Sequence, residues 1–284
     1  MQTTVGLELR RIWFILPIIA ILGGAGFEET SRVLSNRNAS QMVNPADSAW
    51  TLVWHDEFIG DALDTTKWVI QPGLHAGAKN ERQYYTDREQ NVRVEDGNLV
   101  LEARKEAFGG LSYTSARVKT EGRASWTYGR IEARIKIPSG AGFWPAFWML
   151  GDSLPELGWP RCGEIDIMEH VGKHPNTVFG TIHGPGYASP GKGGTYSLVR
   201  GSLEGDYHIY SIDWSRASIK WAIDGVVYKT VNRSDVDGRW VFDQPFFVEL
   251  NLGVGGNWPG DPNAETAFPQ AMLVDYVRVY QRVP

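Results

Sequence analysis

The sequence predicts an all-β domain made of two packed antiparallel sheets, and three observations carry that prediction. Segments in which apolar and polar residues alternate recur from residue 92 onward, as in GRIEARIKI and HIYSIDWS. Turn-forming residues separate them at short intervals, as in Asp96-Gly97-Asn98 and Asp224-Gly225. The composition of 12 Trp, 11 Tyr and 11 Phe beside 32 Gly and 15 Pro suits short strands, tight turns and a ring-lined surface.

The alternating segments are the predicted strands. Their period of two, with turns between them, indicates an antiparallel sandwich or barrel rather than βαβ units. No amphipathic stretch of helical length follows residue 50. In chain order the segments are NLVLEARKE, GRIEARIKI, HIYSIDWS, IKWAIDG, VVYKTV, FFVELNLGV and MLVDYVRVYQ.

The start of the chain differs from the rest. Arg10 and Arg11 precede an apolar run, residues 12–27, which matches the charged and hydrophobic parts of an export signal. Residues 1–27 are therefore predicted as a signal peptide or an N-terminal membrane anchor, with a buried core helix as the alternative. A disordered linker over 28–49 and the globular domain over 50–284 follow. We expect a secreted, periplasmic or cell-envelope protein that meets a membrane only through its N-terminal segment.

Charge and cysteine content exclude several classes. The 28 Lys and Arg against 33 Asp and Glu give a net charge of -5, which lacks the basic footprint of a nucleic-acid-binding protein. Cys162 is the only cysteine, so no intramolecular disulfide can form, and we interpret it as a packing residue. We expect a monomer whose stability comes from its core and from a bound metal.

The stretch GEIDIMEH, residues 163–170, carries the chemistry. On a strand, Glu164 and Asp166 share one face. In a regular pleat Glu169 would point into the core, where a charged carboxylate is very costly. One inserted residue, most simply Met168 in a β-bulge, returns Glu169 to the face of the other two acids. Three acids are then predicted to line one polar face.

Such a face suits glycoside hydrolysis. Carboxyl groups about 5 to 5.5 Å apart are the arrangement of retaining glycosidases. We predict Glu164 as nucleophile, Glu169 as general acid/base and Asp166 as the group that tunes them, with no cofactor for catalysis. Spacing alone leaves the order of the two Glu roles open. The alternatives are an edge strand of solvated acids and a divalent-cation site.

At these residues the chain resembles glycoside hydrolase family sixteen, and within it the laminarinase-like endo-β-1,3-glucanases. The likeness runs from about Trp54 to Gln281 and includes the bulged signature EIDIME. It implies a β-jelly roll with a glycan cleft across its concave sheet, retention of anomeric configuration, and the order of Glu roles given above. The other matching motifs are WHDEF at 54–58, YTSAR at 113–117, YGRIEAR at 128–134, GFWPAFW at 142–148, LNLGVGGNW at 250–258 and VDYVRVY at 274–280.

The resemblance also implies sugar-binding residues. For Trp144 and Trp148 burial in the core is the alternative, and for His183 it is a structural histidine. His170 stands where many relatives carry Tyr. The implied sugar contacts are Trp144, Trp148, His183, Asn80 and Arg117.

A calcium site is implied as well. Glu57, the carbonyl of Gly97 and Asp275 match a site that family members place on the convex face, away from the cleft. Oxygen ligands suit a hard cation. The alternative is a carboxylate pair that never meets.

The predicted function is therefore hydrolysis of internal β-1,3 linkages in β-glucan, with mixed β-1,3/1,4 glucan as a further substrate. One rival is an agarase-like or carrageenase-like galactan hydrolase; segments near the cleft show no evident Arg/Lys cluster for sulfated sugars, which favours glucan. The other rival is a non-catalytic β-glucan-binding protein, against which the three retained acids argue.

Overall fold

The computed structural model describes residues 50–74 and 80–282. The signal or anchor predicted over 1–27 and the linker over 28–49 lie outside the described residues, so both stay predictions. Within the described ranges, none of the helices has the length and apolar character needed to cross a membrane. One short helix, α1, spans Leu154–Leu157. Apart from a 3₁₀ helix over Arg233–Asp235, the remaining described residues are strand and loop, as the alternating segments predict.

The larger sheet has ten strands among the described residues. Its path runs β15-β14-β13-β8-β17-β5-β6-β3, with β1 pairing β17 and β4 pairing β5. All of its pairs are antiparallel except β3 with β6, which is parallel. The strands are β1 Trp50–Asp56, β3 Gln83–Tyr85, β4 Val92–Glu95, β5 Asn98–Phe108, β6 Leu111–Ser115, β8 Gly129–Lys136, β13 Tyr207–Trp214, β14 Ser218–Ile223, β15 Val226–Asn232 and β17 Gln270–Arg282.

The smaller sheet has seven strands in the described part of the chain, in the order β12-β11-β10-β9-β16-β7-β2. Strand β10 carries the three acids and is paired on both edges, with β9 and β11. The strands are β2 Val69–Ile70, β7 Arg117–Lys119, β9 Phe143–Gly151, β10 Glu164–Glu169, β11 Thr177–His183, β12 Lys192–Ser197 and β16 Phe246–Val254.

Two of the predicted turns are tight hairpins. Asp96 and Gly97 have φ of 51° and 72°, and Asp224 and Gly225 have 48° and 78°. Positive φ at both central residues is the type I′ geometry, which favours Asp-Gly and matches the twist of the flanking strands. These turns join β4 to β5 and β14 to β15.

The two sheets enclose one apolar core. On β8, Ile131, Ala133 and Ile135 are fully buried and alternate with outward-facing charged residues. From the smaller sheet, Phe147 and Ile165 reach the same core. Cys162 is buried too, in a second apolar cluster with Trp148, as the packing interpretation predicts. The opposite face of the smaller sheet is left for the acids.

Candidate active site

A β-bulge in β10 brings the three acids together. Asp166 lies opposite Trp148 of β9, but Met168 lies opposite Phe147, so one residue of β10 has no counterpart on β9. On the other edge the register shifts between Asp166 and Glu169. The predicted bulge is therefore confirmed, but Met168 keeps a partner and the extra residue is Ile167. Both side chains are buried in the core, which anchors the bulge.

The register places all three acids on one face. Glu164, Asp166 and Glu169 lie opposite Leu150, Trp148 and Ala146, which are every second residue of β9. Residues directly opposite each other on paired strands point to the same side. The acids consequently project from the same side of the sheet, as predicted, although Glu169 is an odd number of residues from Glu164.

Each catalytic candidate has a distinct set of contacts. The indole Nε1 of Trp159 donates to Glu164 Oε2 over 2.6 Å, and that of Trp144 donates to Glu169 Oε1 over 3.0 Å. Asp166 is buried between them, and its Oδ2 lies 3.1 Å from His183 Nε2. That contact has the distance of an ion pair without the angle of a hydrogen bond, since Oδ2 is otherwise unpartnered within the described residues.

Burial and mutual repulsion set the ionisation of the two Glu residues. Desolvation, followed by the charge of Asp166, raises the pKa of Glu169 to about 8. The same two causes raise the pKa of Glu164, while the charge of His183 acts in the opposite direction. The N–H donor from Trp159 further favours an ionised Glu164. Close carboxylates cannot all ionise together, so the site keeps at least one proton near neutral pH.

His183 is the cation of the site. Burial alone would lower its pKa, but the contact with Asp166 and the charges of Asp166 and Glu164 raise it to about 10. Its Nδ1 lies 2.8 Å from the carbonyl oxygen of Ala188, which accepts one ring N–H. The charged imidazole therefore offsets part of the repulsion among the acids. Glu164, Asp166 and His183 each bring one ligand atom within 4.8 Å of the others, so the alternative of a cation site has a donor set.

Trp144 stands at the open side of Glu169. It is partly exposed, and its ring packs edge-on against Trp258 at 5.3 Å between centroids. Phe179 of β11 contacts the same Trp258 ring at 5.0 Å, and Lys173 donates to the Trp258 carbonyl. These rings form one aromatic wall of the cleft. The Trp144 ring is thus partly exposed, as sugar contact would require, and it also donates a hydrogen bond to Glu169.

Trp148 and Arg117 lie in the floor of the cleft rather than on its open surface. Trp148 is 7% exposed and Arg117 is 5% exposed. The Trp148 indole donates to Asn251 Oδ1 over 2.7 Å, while Arg117 covers the Trp148 ring at 4.9 Å and its Nε donates to Glu249 over 2.5 Å. For Trp148 this position fits the alternative of burial, because the guanidinium takes the place of a stacked sugar. Direct sugar contact by these two residues stays a prediction.

Asn80 and His170 have structural contacts. The exposed Asn80 donates through Nδ2 to Asn257 Oδ1 over 2.9 Å, which links it to the loop that carries Trp258. His170 is fully buried, and its ring nitrogens lie 2.8 Å from the Thr177 carbonyl oxygen and 3.2 Å from Glu204 Oε1. His170 therefore fixes the end of β10 from inside the fold.

The loop before β10 forms the opposite wall. Leu154 of α1 packs on an apolar cluster that includes Leu150 and Phe247 on the acid-bearing face. The loop then turns through Trp159, which is 49% exposed and reaches Glu164. Sequence reasoning did not select Trp159 or Trp258. Two positions in the sequence could have pointed to them: Trp159 stands five residues before Glu164, and Trp258 stands within the GGNWPG turn.

The predicted calcium ligands lie near one another on the larger sheet. Asp56 pairs with Val277 and Leu99 with Val274, so Glu57, Gly97 and Asp275 flank one segment of β17. Both oxygens of Glu57 accept bonds from Arg278 at 2.8 Å, and Asp275 Oδ2 accepts from Arg134 at 2.9 Å. The oxygen donors suit a hard cation, although two guanidinium groups already neutralise them. Calcium stays a prediction.

Comparison with known proteins matches both the sequence and the fold. The family model for glycosyl hydrolases family 16 matches residues 79–278. A beta-glucanase of Rhodothermus marinus is 44% identical over 248 residues, which cover 82% of this chain and 86% of that protein.

Two solved structures resemble the described fold. The endo-beta-1,3-glucanase of Pyrococcus furiosus superimposes with a TM-score of 0.79 at 46% identity, covering 82% of this chain and 95% of that one. The laminarinase catalytic domain of Thermotoga maritima gives 0.79 at 44% identity, covering 83% and 99%. The two-sheet architecture is thus that of solved β-1,3-glucanases.

Proposed function

The chain belongs to glycosyl hydrolase family 16, and from that premise we propose that it is an endo-acting glycoside hydrolase that cleaves internal β-1,3 linkages of glucan with retention of configuration. The single observation that carries the proposal is the bulge at Ile167, which turns Glu164, Asp166 and Glu169 to the same side of the sheet. A regular strand would turn Glu169 into the core, and only a surface with two acids would remain.

The proposed reaction has two displacements. In the first, a carboxylate oxygen of Glu164 attacks the anomeric carbon, the glycosidic C–O bond breaks, and Glu169 gives its proton to the leaving oxygen. In the second, Glu169 takes a proton from water, the water oxygen attacks the anomeric carbon, and the ester bond to Glu164 breaks. Glu164 is then free again and Glu169 is reprotonated.

The electrostatics suit this division of roles. The first step needs a protonated Glu169, and its raised pKa of about 8 keeps the proton there at neutral pH. It also needs an ionised Glu164. Burial and the charge of Asp166 raise the pKa of Glu164, and the charge of His183 and the indole donor of Trp159 act against that rise. Once Glu164 becomes an uncharged ester, one source of repulsion is gone and Glu169 can lose its proton more easily, as the second step requires.

Trp144 and Trp258 are the proposed sugar contacts. They are ring surfaces at the wall beside Glu169. An indole face offers sugar C–H groups a flat, electron-rich surface.

A substrate panel tests the reaction. We expect the enzyme to release reducing ends from laminarin and to release few or none from agarose and carrageenan. Release from lichenan would show that mixed linkages are also cleaved. Internal cleavage would give a ladder of oligosaccharides rather than one small product. Binding to laminarin without release of reducing ends would favour the non-catalytic glucan-binding alternative. Release from agarose or carrageenan alone would favour the galactan alternative.

Azide rescue tests the two Glu roles separately. With a small nucleophile in place of the carboxylate, Glu164→Ala should give a glucosyl azide of inverted, α configuration. With an activated aryl glycoside, Glu169→Ala should give the β-azide, because the Glu164 ester still forms and azide opens it. Proton NMR of the anomeric signal distinguishes the two products. The opposite assignment of products would exchange the two roles.

We further propose calcium binding at Glu57, Gly97 and Asp275, export through residues 1–27, and a monomeric enzyme. The support for export is Arg10 and Arg11 before the apolar run. N-terminal sequencing of the protein recovered from medium and envelope fractions distinguishes a cleaved signal from a retained anchor. Light scattering of the 50–284 domain tests the monomer.

A further inference from the structure

A cavity of about 810 Å³ lies at the Glu164 end of β10 and is not part of the proposed reaction. Its lining comes from three separate loops: the one before β10, the one after β11 and the one before β16. The residues that matter for the argument are Leu157, Arg161, Pro185, Arg233, Arg239 and Trp240.

Three arginines line this cavity, and two of them have no partner in the described chain. Arg233 pairs with Asp243, Nη1 to Oδ2 at 2.7 Å, and the other Asp243 oxygen accepts from Tyr128. Asp243 is therefore fully engaged. Arg161 and Arg239 are exposed and have no hydrogen bond or ion pair from their guanidinium groups among the residues the structure describes. The cavity thus holds two uncompensated positive charges in a chain whose net charge is -5.

The rest of the lining combines apolar side chains with the polar side chain of Gln244. Leu157, Pro185, Trp240 and Val241 contribute carbon surface. Trp240 is 6% exposed, and its indole Nε1 is a buried donor without an acceptor in the described residues. Carbon surface beside free guanidinium groups suits a ligand that has both a sugar ring and an anionic oxygen group. A small inorganic anion would use only the guanidinium groups.

The cavity adjoins the reaction centre. Arg161 is in the same loop as Trp159, whose indole donates to Glu164, and it lies three residues before Glu164. Pro185 lies two residues after His183, which contacts Asp166. Arg161 and Pro185 thus place the cavity beside the strand ends that carry Glu164 and His183.

We propose that this cavity binds an anionic substituent, a carboxylate or a sulfate half-ester, on the glucan chain that occupies the cleft. The inference rests on the proposed glucanase function and narrows its substrate class to include acidic or partly sulfated β-1,3-glucans. Guanidinium groups match both oxyanions because their planar forks give paired N–H bonds. No segment near the cleft reveals this in the sequence, since residues 161, 233 and 239 meet only after folding.

The test compares neutral laminarin with carboxymethylated and sulfated laminarin of the same chain length. The double variant Arg161→Gln/Arg239→Gln removes both free charges and keeps two polar side chains. Its kcat/KM on the anionic substrates should fall about fivefold, mainly through KM, because exposed charge pairs are individually weak. On neutral laminarin it should stay within about twofold, and the loss should shrink as NaCl is raised.

The matched control is Arg200→Gln, which removes an exposed arginine beyond the opposite end of β11, where Ser197 pairs with Thr177. This variant should leave kcat/KM unchanged on both neutral and anionic laminarin. Equal losses on neutral and anionic laminarin, no loss on either, or the same loss in the control would overturn the proposal.

Binding to Glu164→Gln separates this proposal from the glucanase function. Calorimetry with carboxymethylated laminarin should show weaker binding when the two arginines are also replaced. If wild-type protein hydrolyses no laminarin of any kind, the proposed function fails, and this difference in Kd still decides whether the cavity binds the anion. An equal Kd with and without the two arginine replacements would refute the cavity proposal, even if neutral laminarin is hydrolysed.

Discussion

The carboxylates on the outer face of the larger sheet and the three acids of β10 have opposite surroundings. On the larger sheet, Glu57, Asp213 and Asp275 each accept bonds from an arginine. On the smaller sheet, the three acids of β10 share one cation, His183. The hydrogen bonds to Glu164 and Glu169 come from indole N–H groups. The same residue type is therefore neutralised by arginine at these positions of the larger sheet and left under repulsion on β10.

The pKa directions follow this difference. Burial raises the pKa of Glu57, but bonding to Arg278 and its charge outweigh burial and lower it. Burial also raises the pKa of Glu169, and there the charge of Asp166 adds to the effect, so the result is about 8. The comparison teaches that burial acts alike on both faces, and the sign of the neighbouring charge decides which carboxyl can give a proton at neutral pH.

The sharpest test of this contrast is Glu169→Gln against Glu57→Gln. We expect kcat/KM on laminarin to fall about 10²- to 10⁴-fold in Glu169→Gln, because the leaving oxygen loses its proton donor. Glu57→Gln should stay within about twofold of wild type, since Glu57 lies on the other face. For an aryl glycoside with a good leaving group, the loss of kcat/KM in Glu169→Gln should be smaller. Comparable losses in the two variants would refute the division between the faces.

Asp166→Asn should have the next largest effect. The charge of Asp166 raises the pKa of Glu169, so its removal lowers that pKa and the alkaline fall in kcat/KM moves to lower pH. We expect about a 10- to 100-fold loss at the optimum, since one preorganised charge is gone. A pH profile of kcat/KM measures both. An alkaline limb that keeps its position would show that Asp166 does not act through Glu169.

Glu169→Gln should raise the stability of the domain although it lowers the activity. The pKa of Glu169 is raised from 4.5 to about 8 on folding, so its contribution to stability is complete below pH 4.5 and is lost as pH rises toward 8. Glu169→Gln removes this penalty and should raise the free energy of unfolding at pH 7.5 by about 2 to 4 kcal/mol.

At pH 4 the difference between Glu169→Gln and wild type should disappear, because both side chains are then uncharged. Urea unfolding at the two pH values measures it. A variant no more stable than wild type at pH 7.5 would mean that Glu169 is ionised in the folded enzyme.

The outer ion pair should contribute less. Glu57 and Arg278 are about a quarter exposed, so a double-mutant cycle with Glu57→Gln and Arg278→Gln should give a coupling of about 1 kcal/mol at pH 7. The folded pKa of Glu57 is lowered, so this stability is present above its unfolded pKa and is lost as pH falls. The coupling should vanish near pH 3. A coupling that persists at pH 3 would require another interaction.

Calcium should give the smallest change. Binding at Glu57, Gly97 and Asp275 has to compete with Arg278 and Arg134 for the carboxylates. We expect millimolar calcium to stabilise the domain by at most about 1 kcal/mol relative to EDTA. Asp275→Asn should abolish the shift in Tm. An equal shift in the variant would place the ion elsewhere.

The site was only partly predictable from the order of residues. The EIDIME stretch required a bulge, because a charged Glu169 could not stay in the core. It did not identify Ile167 as the extra residue, since both Ile167 and Met168 are apolar and both end in the core. Burial was only the alternative for Trp148 and was not expected for Arg117, because their cover comes from each other and from Asn251 and Glu249 on β16.

The sequence by itself determined the strands, the hairpin turns and the acids, because those depend on local properties: period-two alternation, the φ values that Asp-Gly accepts, and the cost of burying an unpaired charge. Only the tertiary structure decided which cations meet which carboxylates, that Trp159 reaches Glu164, and that Arg161 and Arg239 line one cavity. Charge interactions depend on separation in space, and loops distant in the chain set that separation.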